Sequence, residues 1–246
     1  MKNVLESKKK IDEHNKNYEQ GKVSYMQRLW EHSDLSTEEK HKHLTGLKDP
    51  NEGKPDRTRR AATAYPQFPP GPPAVDWTQR GLVGPVENQG QCGSCYTFST
   101  AALVNAVIRK RGDGTDLVSP QQLVDCARNN PGGCGGGWPE ISLEYVKQNG
   151  MTDEYRYPYV AYPRTCGYNQ NIAVVPPNFI QGIHNIPTRG NETWLKDIVG
   201  SVGPVSIALC DEESFQNYGG GVYIQDNCCT ALRHAPVITG YGTDPV

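Results

Sequence analysis

Between residues 46 and 73 the chain carries Pro55, Arg59-Arg60, Pro66 and the run Phe68-Pro69-Pro70-Gly71-Pro72-Pro73. Proline fixes φ and has no backbone N–H to donate, so this stretch can be neither a regular helix nor an internal strand. It reads as a protease-accessible linker, and the segments on either side must pack as separate parts. Charge supports the division: residues 1–60 hold 14 Lys and Arg against 11 Asp and Glu, while the other 186 residues hold 11 against 16. A net charge of -2 and 36% hydrophobic residues suggest neither a nucleic-acid partner nor a disordered chain.

The first part is polar. Residues 6–20 favour a helix, and Lys22 to Glu39, with Tyr25, Leu29, Trp30 and Leu35, has spacings that allow a second, weakly amphipathic one. Beyond the linker the pattern becomes globular. Cys95 to Arg111 places Phe98, Ala101, Val104 and Ile108 on one helical face and ends on three cations before Gly112, the charge sign a helix C-terminus prefers. Another helix opens at Ser119, with Pro120 in its first turn and Gln122 placed for a capping box. One more spans about Pro139 to Asn149. From Gly182 onward come short β-like runs, Pro204 to Leu209, Gly221 to Ile224 and Val237 to Tyr241. Helices first and strands after predict an α+β fold with the two kinds segregated.

Eight cysteines in a chain of 246 residues fit an oxidising compartment. The N-terminus, MKNVLESKKKIDEHN, has no apolar run of signal-peptide length, and no later segment is apolar enough to span a membrane. The expectation is either a cytosolic protein or a chain that begins inside a longer precursor. Asn191-Glu192-Thr193 forms a glycosylation sequon with Asn191 as acceptor.

Chemistry concentrates in Gly90-Gln91-Cys92-Gly93-Ser94-Cys95-Tyr96. Cys95 opens a helix, where the macrodipole favours thiolate; Cys92 lies a turn earlier, in the loop. Cys95 is therefore the candidate nucleophile and Cys92 the candidate structural residue. A nucleophilic thiol needs a proton acceptor, and beyond residue 60 the histidines are His184 and His234. His184, in Ile183-His184-Asn185-Ile186, reads as a surface or strand residue. His234 opens a strand-like stretch ending Gly240-Tyr241-Gly242. A zinc site would want a second close cysteine pair, and a thioredoxin-like motif a preceding βαβ pattern; neither is present, and no metal or cofactor is expected.

The segment Gln89 to Tyr96, with His234 139 residues after Cys95, resembles the signature of papain-family cysteine proteases, in particular the cathepsin L-like branch. Pro73-Ala74-Val75-Asp76-Trp77 is similar to the family's mature start and Ser119 to Cys126 to its second helix. Gly133-Cys134-Gly135-Gly136-Gly137 is similar to its glycine-rich substrate strand. Tyr157-Pro158-Tyr159, Gly203-Pro204-Val205-Ser206 and His234 to Gly242 follow in the family's order. The resemblance implies a two-lobed papain-like fold, a helical lobe over 73–180 carrying the nucleophile and a β-barrel-like lobe over 181–246 carrying the histidine. Before them it implies a partial inhibitory prosegment over 1–60 and a linker and processing region over 61–72.

It also implies residue roles. Cys95 would attack a peptide carbonyl, His234 would protonate the leaving amine, and the Gln89 amide with the Cys95 backbone N–H would form the oxyanion hole. Gly93, Gly136 and Gly137 would lie along the substrate backbone, and Trp138, Pro139, Ala208, Leu232 and Ala235 would line an apolar pocket for the residue two before the scissile bond. Cys92 would bridge to Cys134 and Cys126 to Cys166. Cys210, Cys228 and Cys229 remain with open pairing, because the family's third bridge joins the 228/229 region to a partner further on.

In the first part, Ile11 and Asn15 fit the family's prosegment helix and Tyr25 and Ser33-Asp34-Leu35 its next motif. Val4, Ser7, Arg28, Trp30 and His32 depart from the pattern. His14, His32, His41 and His43 lie here, so acid could loosen it. The implied protein is a monomeric, lysosomal or extracellular thiol-protease zymogen acting on peptide or protein substrates, with its own prosegment as inhibitor and no nucleic-acid or membrane partner.

Two departures leave an alternative, a non-catalytic homologue that binds or inhibits. The family's Asn-Ser-Trp-Gly segment, whose Asn fixes the histidine ring, would fall after Val246, so the last strands are expected to be missing, as is the helix before the prosegment motif. And Pro236 removes a ladder donor from what the family has as a central strand.

Overall fold

In the computed structural model the helix expected at residues 6–20 runs from Lys2 to Glu19 (α1), with Ile11 buried. The structure describes residues 2–50, 68–114, 116–128, 131–184 and 192–243, so Pro55, Arg59-Arg60, Pro66 and the sequon residue Asn191 lie outside the described residues. The second helix expected over Lys22–Glu39 does not form. In its place Tyr25–Gln27 is a strand (β1), followed by a helix from Thr37 to His43 (α2). Burial alternates along β1, with Tyr25 and Gln27 inside and Met26 out, a period of two that three residues could not reveal from sequence. The Asn15 side chain holds the strand in place: its Oδ1 accepts the Gln27 N–H at 2.8 Å and its Nδ2 donates to the Gln27 carbonyl at 2.9 Å. Ser36 and Glu39 form a reciprocal capping box that starts α2.

Cys95–Arg111 is the long central helix (α3), closed by Gly112 in the left-handed conformation at φ 77°. Ala101, Val104 and Ile108 on its inner face meet Leu123, Val146, Met151 and Val175. Leu123 belongs to the helix Pro120–Cys126 (α4) and Val146 to the helix Pro139–Asn149 (α5). Ser119 caps α4 by accepting the Gln122 N–H at 3.0 Å, but the expected capping box is only half made. The Gln122 side chain turns away to take the Thr152 N–H at 2.8 Å and to donate to the Gly150 carbonyl at 3.2 Å, tying α4 to the end of α5. Disulfides join Cys92 to Cys134 and Cys126 to Cys166. A third joins Cys210 to Cys229, so the pairing left open by the sequence is met by an upstream partner, and Cys228 is free and exposed.

The chain past Gly182 is not uniformly β. Glu192–Ser201 is a helix (α6), whose Leu195 and Val199 pack on Val75 and Trp77. Trp77 donates its indole N–H to the Val199 carbonyl at 2.6 Å. Val75–Asp76 (β2), Val205–Ser206 (β3), a helical turn Glu213–Gln216 (α7), Tyr218–Gly221 (β4), Val237–Ile238 (β5), Gly240–Tyr241 (β6) and two short 3-10 turns, Gly133–Gly135 and Gln170–Ile172, complete the described elements. They pair antiparallel as β1–β4, β2–β6 and β3–β5. The run expected at Gly221–Ile224 lies earlier, because Gly219 and Gly221 approach β1 more closely than side chains would allow; a Cβ on Gly221 would stand 2.5 Å from the Ser24 carbonyl.

Pro236 costs less than expected. Ile207 donates to its carbonyl at 2.9 Å, and two residues on Leu209 and His234 exchange both backbone bonds, at 3.0 and 3.1 Å. The proline deletes one rung and the ladder resumes beyond it.

Replacing Asn15 by Ala leaves the Gln27 N–H without its acceptor, at a cost of about 1–3 kcal/mol. The Asn15→Ala chain is expected to melt earlier and to exchange the Gln27 amide faster; unchanged protection at Gln27 would show that β4 alone holds β1.

Candidate active site

Ser94 precedes α3 and Cys95 begins it, placing the thiol at the positive end of the helix. Tyr159 spans the loop before it: its hydroxyl donates to the Gln89 carbonyl at 2.7 Å and lies 2.6 Å from Ser94 Oγ. One side chain therefore fixes the spacing of Gln89 and the start of α3. From the opposite side His234 is brought in by its pairing with Leu209, and Ala235 packs against Cys95. Cys95, Gln89 and His234 converge on one cavity of about 700 Å³.

Residues 44–48 of the first part run through this cleft. The Gln89 Nε2 donates to the Leu44 carbonyl at 2.8 Å and to the Cys92 carbonyl at 2.9 Å, so its amide protons are both engaged. Gly137 donates to the Gly46 carbonyl at 2.7 Å and accepts the Lys48 N–H at 3.0 Å, a parallel pairing centred on Leu47. From the other wall the Arg233 carbonyl accepts the Leu47 N–H at 3.0 Å. Gly46 passes so close over Gly93 that a Cβ on residue 46 would fall 1.8 Å from the Gly93 carbonyl oxygen, and one on Gly136 would fall 2.6 Å from that of Gly46. Gly93, Gly136 and Gly137 thus lie along an extended backbone, here the chain's own.

Leu47 is buried among Trp138, Ala208, Ala235 and Cys95, which is worth about 1.5–3 kcal/mol for a leucine side chain. Of the other residues expected in that pocket, Pro139 is buried as the first residue of α5, next to Trp138, and Leu232 is 42% exposed just before the chain pairs with residue 209.

The electrostatics are those of a closed site. Burial pushes the Cys95 thiol up to about 11, against the opposing pull of the Ala235, Gly46 and Tyr96 backbone amides and with a smaller contribution from the Asp211 charge. The helix N-terminus does not offset the loss of water, so the expected low thiol pKa is not realised with residues 44–48 in place. Burial likewise lowers the His234 imidazole, while Asp211 raises it. Burial therefore works against the charged form of both groups.

Among the residues the sequence did not single out, Gly46 and Leu47 lie in a segment that reads as linker, and Arg233 is bound twice by the first part. Besides its carbonyl, its guanidinium donates to the His41 ring at 2.8 Å. Asp211 follows an apolar run directly after a cysteine, and nothing in its spacing marks it. Among the described residues there is no cluster of His, Cys, Asp and Glu that could hold a metal ion.

Residues 71–245 match the family model described as papain family cysteine protease. The chain is 38% identical to cathepsin K of Mus musculus over 240 residues, covering 96% of this chain and 70% of that one. It is 36% identical to a cathepsin L-like peptidase of Aedes aegypti, covering 99% of this chain and 73% of the other. In structure it is similar to digestive procathepsin L 3 of Tenebrio molitor larval midgut, with a TM-score of 0.83 at 30% identity, covering 99% of this chain and 76% of that one.

Substituting Gly46 by Ala should lift residues 44–48, since the Cβ meets backbone that cannot yield. Alkylation of Cys95 in the uncleaved chain, followed peptide by peptide to separate it from exposed Cys228, is expected to accelerate about tenfold or more. An unchanged rate would mean that the segment does not shield the thiol.

Proposed function

The chain belongs to the papain family of cysteine proteases, and from that premise we propose that Cys95 and His234 hydrolyse peptide bonds once the prosegment, residues 1–60, leaves the cleft. The fold is the α+β papain-like fold. In this reading residues 61–72 are the processing region, 73–180 the helical lobe and 181–246 the β lobe. The carrying observation is the convergence of Cys95, Gln89 and His234 on a cleft that the chain's own residues 44–48 occupy along Gly137.

With the segment gone, water returns to both titrating groups and removes the burial that keeps them neutral. The proton can then pass from thiol to imidazole, leaving a thiolate at the start of α3 beside an imidazolium. The thiolate adds to the carbonyl carbon of the scissile bond. The oxyanion takes the Gln89 Nε2–H, freed from the Leu44 carbonyl, and the Cys95 N–H. Collapse breaks the C–N bond as His234 gives its proton to the leaving amine, and the acyl group stays on sulfur as a thioester. His234, now neutral, takes a proton from water. Attack by that water releases the carboxylic acid and restores the thiolate–imidazolium pair.

Substrate choice follows from what Leu47 occupies. The pocket of Trp138, Ala208 and Ala235 is apolar, so an apolar residue two before the scissile bond is favoured.

Release must also part the Arg233 guanidinium from the His41 ring, whose two nitrogens lie 3.0 and 2.8 Å from it. Three disulfides support an acidic lysosomal or an extracellular setting over a reducing one.

A peptidyl epoxide is expected to label Cys95 only after acid removal of the prosegment, and Gln89→Ala to lower kcat by about 10²–10³ with little change in KM. The absence of any adduct on Cys95 in the processed chain would favour a non-catalytic binding protein instead.

A further inference from the structure

Gln89 is held at both ends. Its Nε2 donates to the Cys92 carbonyl at 2.9 Å, and its backbone carbonyl accepts the Tyr159 hydroxyl at 2.7 Å. That hydroxyl has one proton, and the Gln89 carbonyl takes it. The Ser94 hydroxyl, 2.6 Å from the Tyr159 oxygen, is therefore the donor in that contact, although the Cys92 carbonyl also lies 3.4 Å from it. The bonds run in one direction, Ser94 to Tyr159 to Gln89, and each polarises the next. Burial keeps the phenol proton in place by pushing the Tyr159 pKa up to about 12, against a smaller pull from Ser94. Tyr159 itself has little freedom. Its ring meets Phe98 of α3 edge-on, with centroids 4.7 Å apart. Just past it, the wholly buried Gln121 of α4 takes the Val160 N–H on Oε1 at 3.0 Å and donates from Nε2 to the Tyr162 carbonyl at 2.9 Å. Ala161, between those two bonds, has φ 59°, a left-handed conformation that a residue with a side chain rarely adopts.

Resting on the protease reading above, we infer that Tyr159 is a positioning residue of the oxyanion hole, its hydroxyl fixing the backbone of Gln89 so that the freed Nε2–H and the Cys95 N–H aim at one point. The two donors come from separate pieces of chain, the loop at Gln89 and the first turn of α3. The hydroxyl is bonded to both, to Gln89 directly and to α3 through Ser94, the residue before Cys95. Release of residues 44–48 takes the Leu44 carbonyl away from Gln89 but removes none of these bonds, all of which lie outside the first part. The amide then keeps one proton on the Cys92 carbonyl and has the other for the oxyanion. Such donors act by being aimed before charge develops, so a small misplacement slows the reaction without weakening ground-state binding. Tyr159 does not line the cleft cavity, and its effect on the reaction runs through Gln89 and Ser94.

The test separates aim from folding, because Tyr159→Phe keeps the ring against Phe98 and removes only the oxygen. In the acid-processed chain Tyr159→Phe is expected to lower kcat about tenfold at unchanged KM, and Ser94→Ala to lower it less. A peptidyl aldehyde, whose carbonyl oxygen becomes an oxyanion as the Cys95 sulfur adds to its carbon, should bind Tyr159→Phe about tenfold more weakly. A peptidyl epoxide, which alkylates the same sulfur by ring opening and places no oxyanion in the hole, should react at the wild-type rate. In a Gln89→Ala background the Tyr159→Phe loss is expected to shrink to less than about twofold, since the donor it aims is gone. Equal slowing of the epoxide, a loss confined to KM, or a loss just as large without the Gln89 side chain overturns the assignment. A readout independent of activity is the Tyr159 hydroxyl proton, expected by NMR to be protected from exchange in full-length chain carrying Cys95→Ala. If wild-type chain cleaves no peptide while that proton is protected, the protease reading falls and the hold on Gln89 stands; an unprotected proton removes that hold whatever the activity.

Discussion

The passage of Gly46 over Gly93 is the contact on which the closed state rests. A side chain at residue 46 would overlap the Gly93 carbonyl, and one on Gly136 would block the Gly46 carbonyl, so backbone can approach backbone only because these positions are glycine. From that approach follow the 2.7 Å bond to Gly137, the delivery of Leu47 into the apolar pocket and the capture of the Gln89 amide by the Leu44 carbonyl. It also covers the sulfur. Inhibition therefore acts through charge as well as bulk, because burial drives both the thiol and the imidazole to neutrality.

How the first part is held explains why such a polar segment folds there. α1 is almost wholly polar and α2 is only seven residues, so neither buries much apolar surface within the segment itself. Its stability comes from outside contacts. β1 adds a strand to β4, Lys10 reaches Glu213, Asn88 bonds Glu31, and Arg233 bonds His41. Exposed ion pairs such as Lys10–Glu213 contribute little each, so the grip depends mostly on the strand pairing and on Leu47. Those are the contacts a cleavage in the linker leaves intact, so cutting the chain does not by itself empty the cleft.

Much of this was legible in sequence where a residue's job is local. Asn15, which with Ile11 fits the pattern the resemblance supplies, proves to be the clamp on β1, and Cys95 stood out as the first residue of α3. The disulfides at Cys92 and Cys126 fell where the resemblance put them. What stayed hidden depends on partners far along the chain. β1 has three residues and exists because Gly221 lies opposite Tyr25, so a window of Lys22–Glu39 reads as helix. Cys210 finds Cys229 across a turn that sequence could not close, and Leu232 faces solvent for reasons set by the strand that follows. Gly46 and Leu47 were read as linker because their pairing is with Gly137, about ninety residues on.

Arg233 and Asp211 carry opposite charges next to the same histidine, and their connections decide what each does. Arg233 is satisfied by the prosegment and loses both contacts on release, after which water screens it. Asp211 keeps Gln216 and its low exposure, so its field on His234 is screened less. That field raises both His234 and Cys95, which helps the imidazolium and hinders the thiolate. At Cys95 it ranks behind burial and three backbone amides, whereas at His234 it stands directly against burial. At both groups burial outranks the carboxylate, so in the closed form the Asp211 field moderates the loss of charge at His234 and adds to it at Cys95.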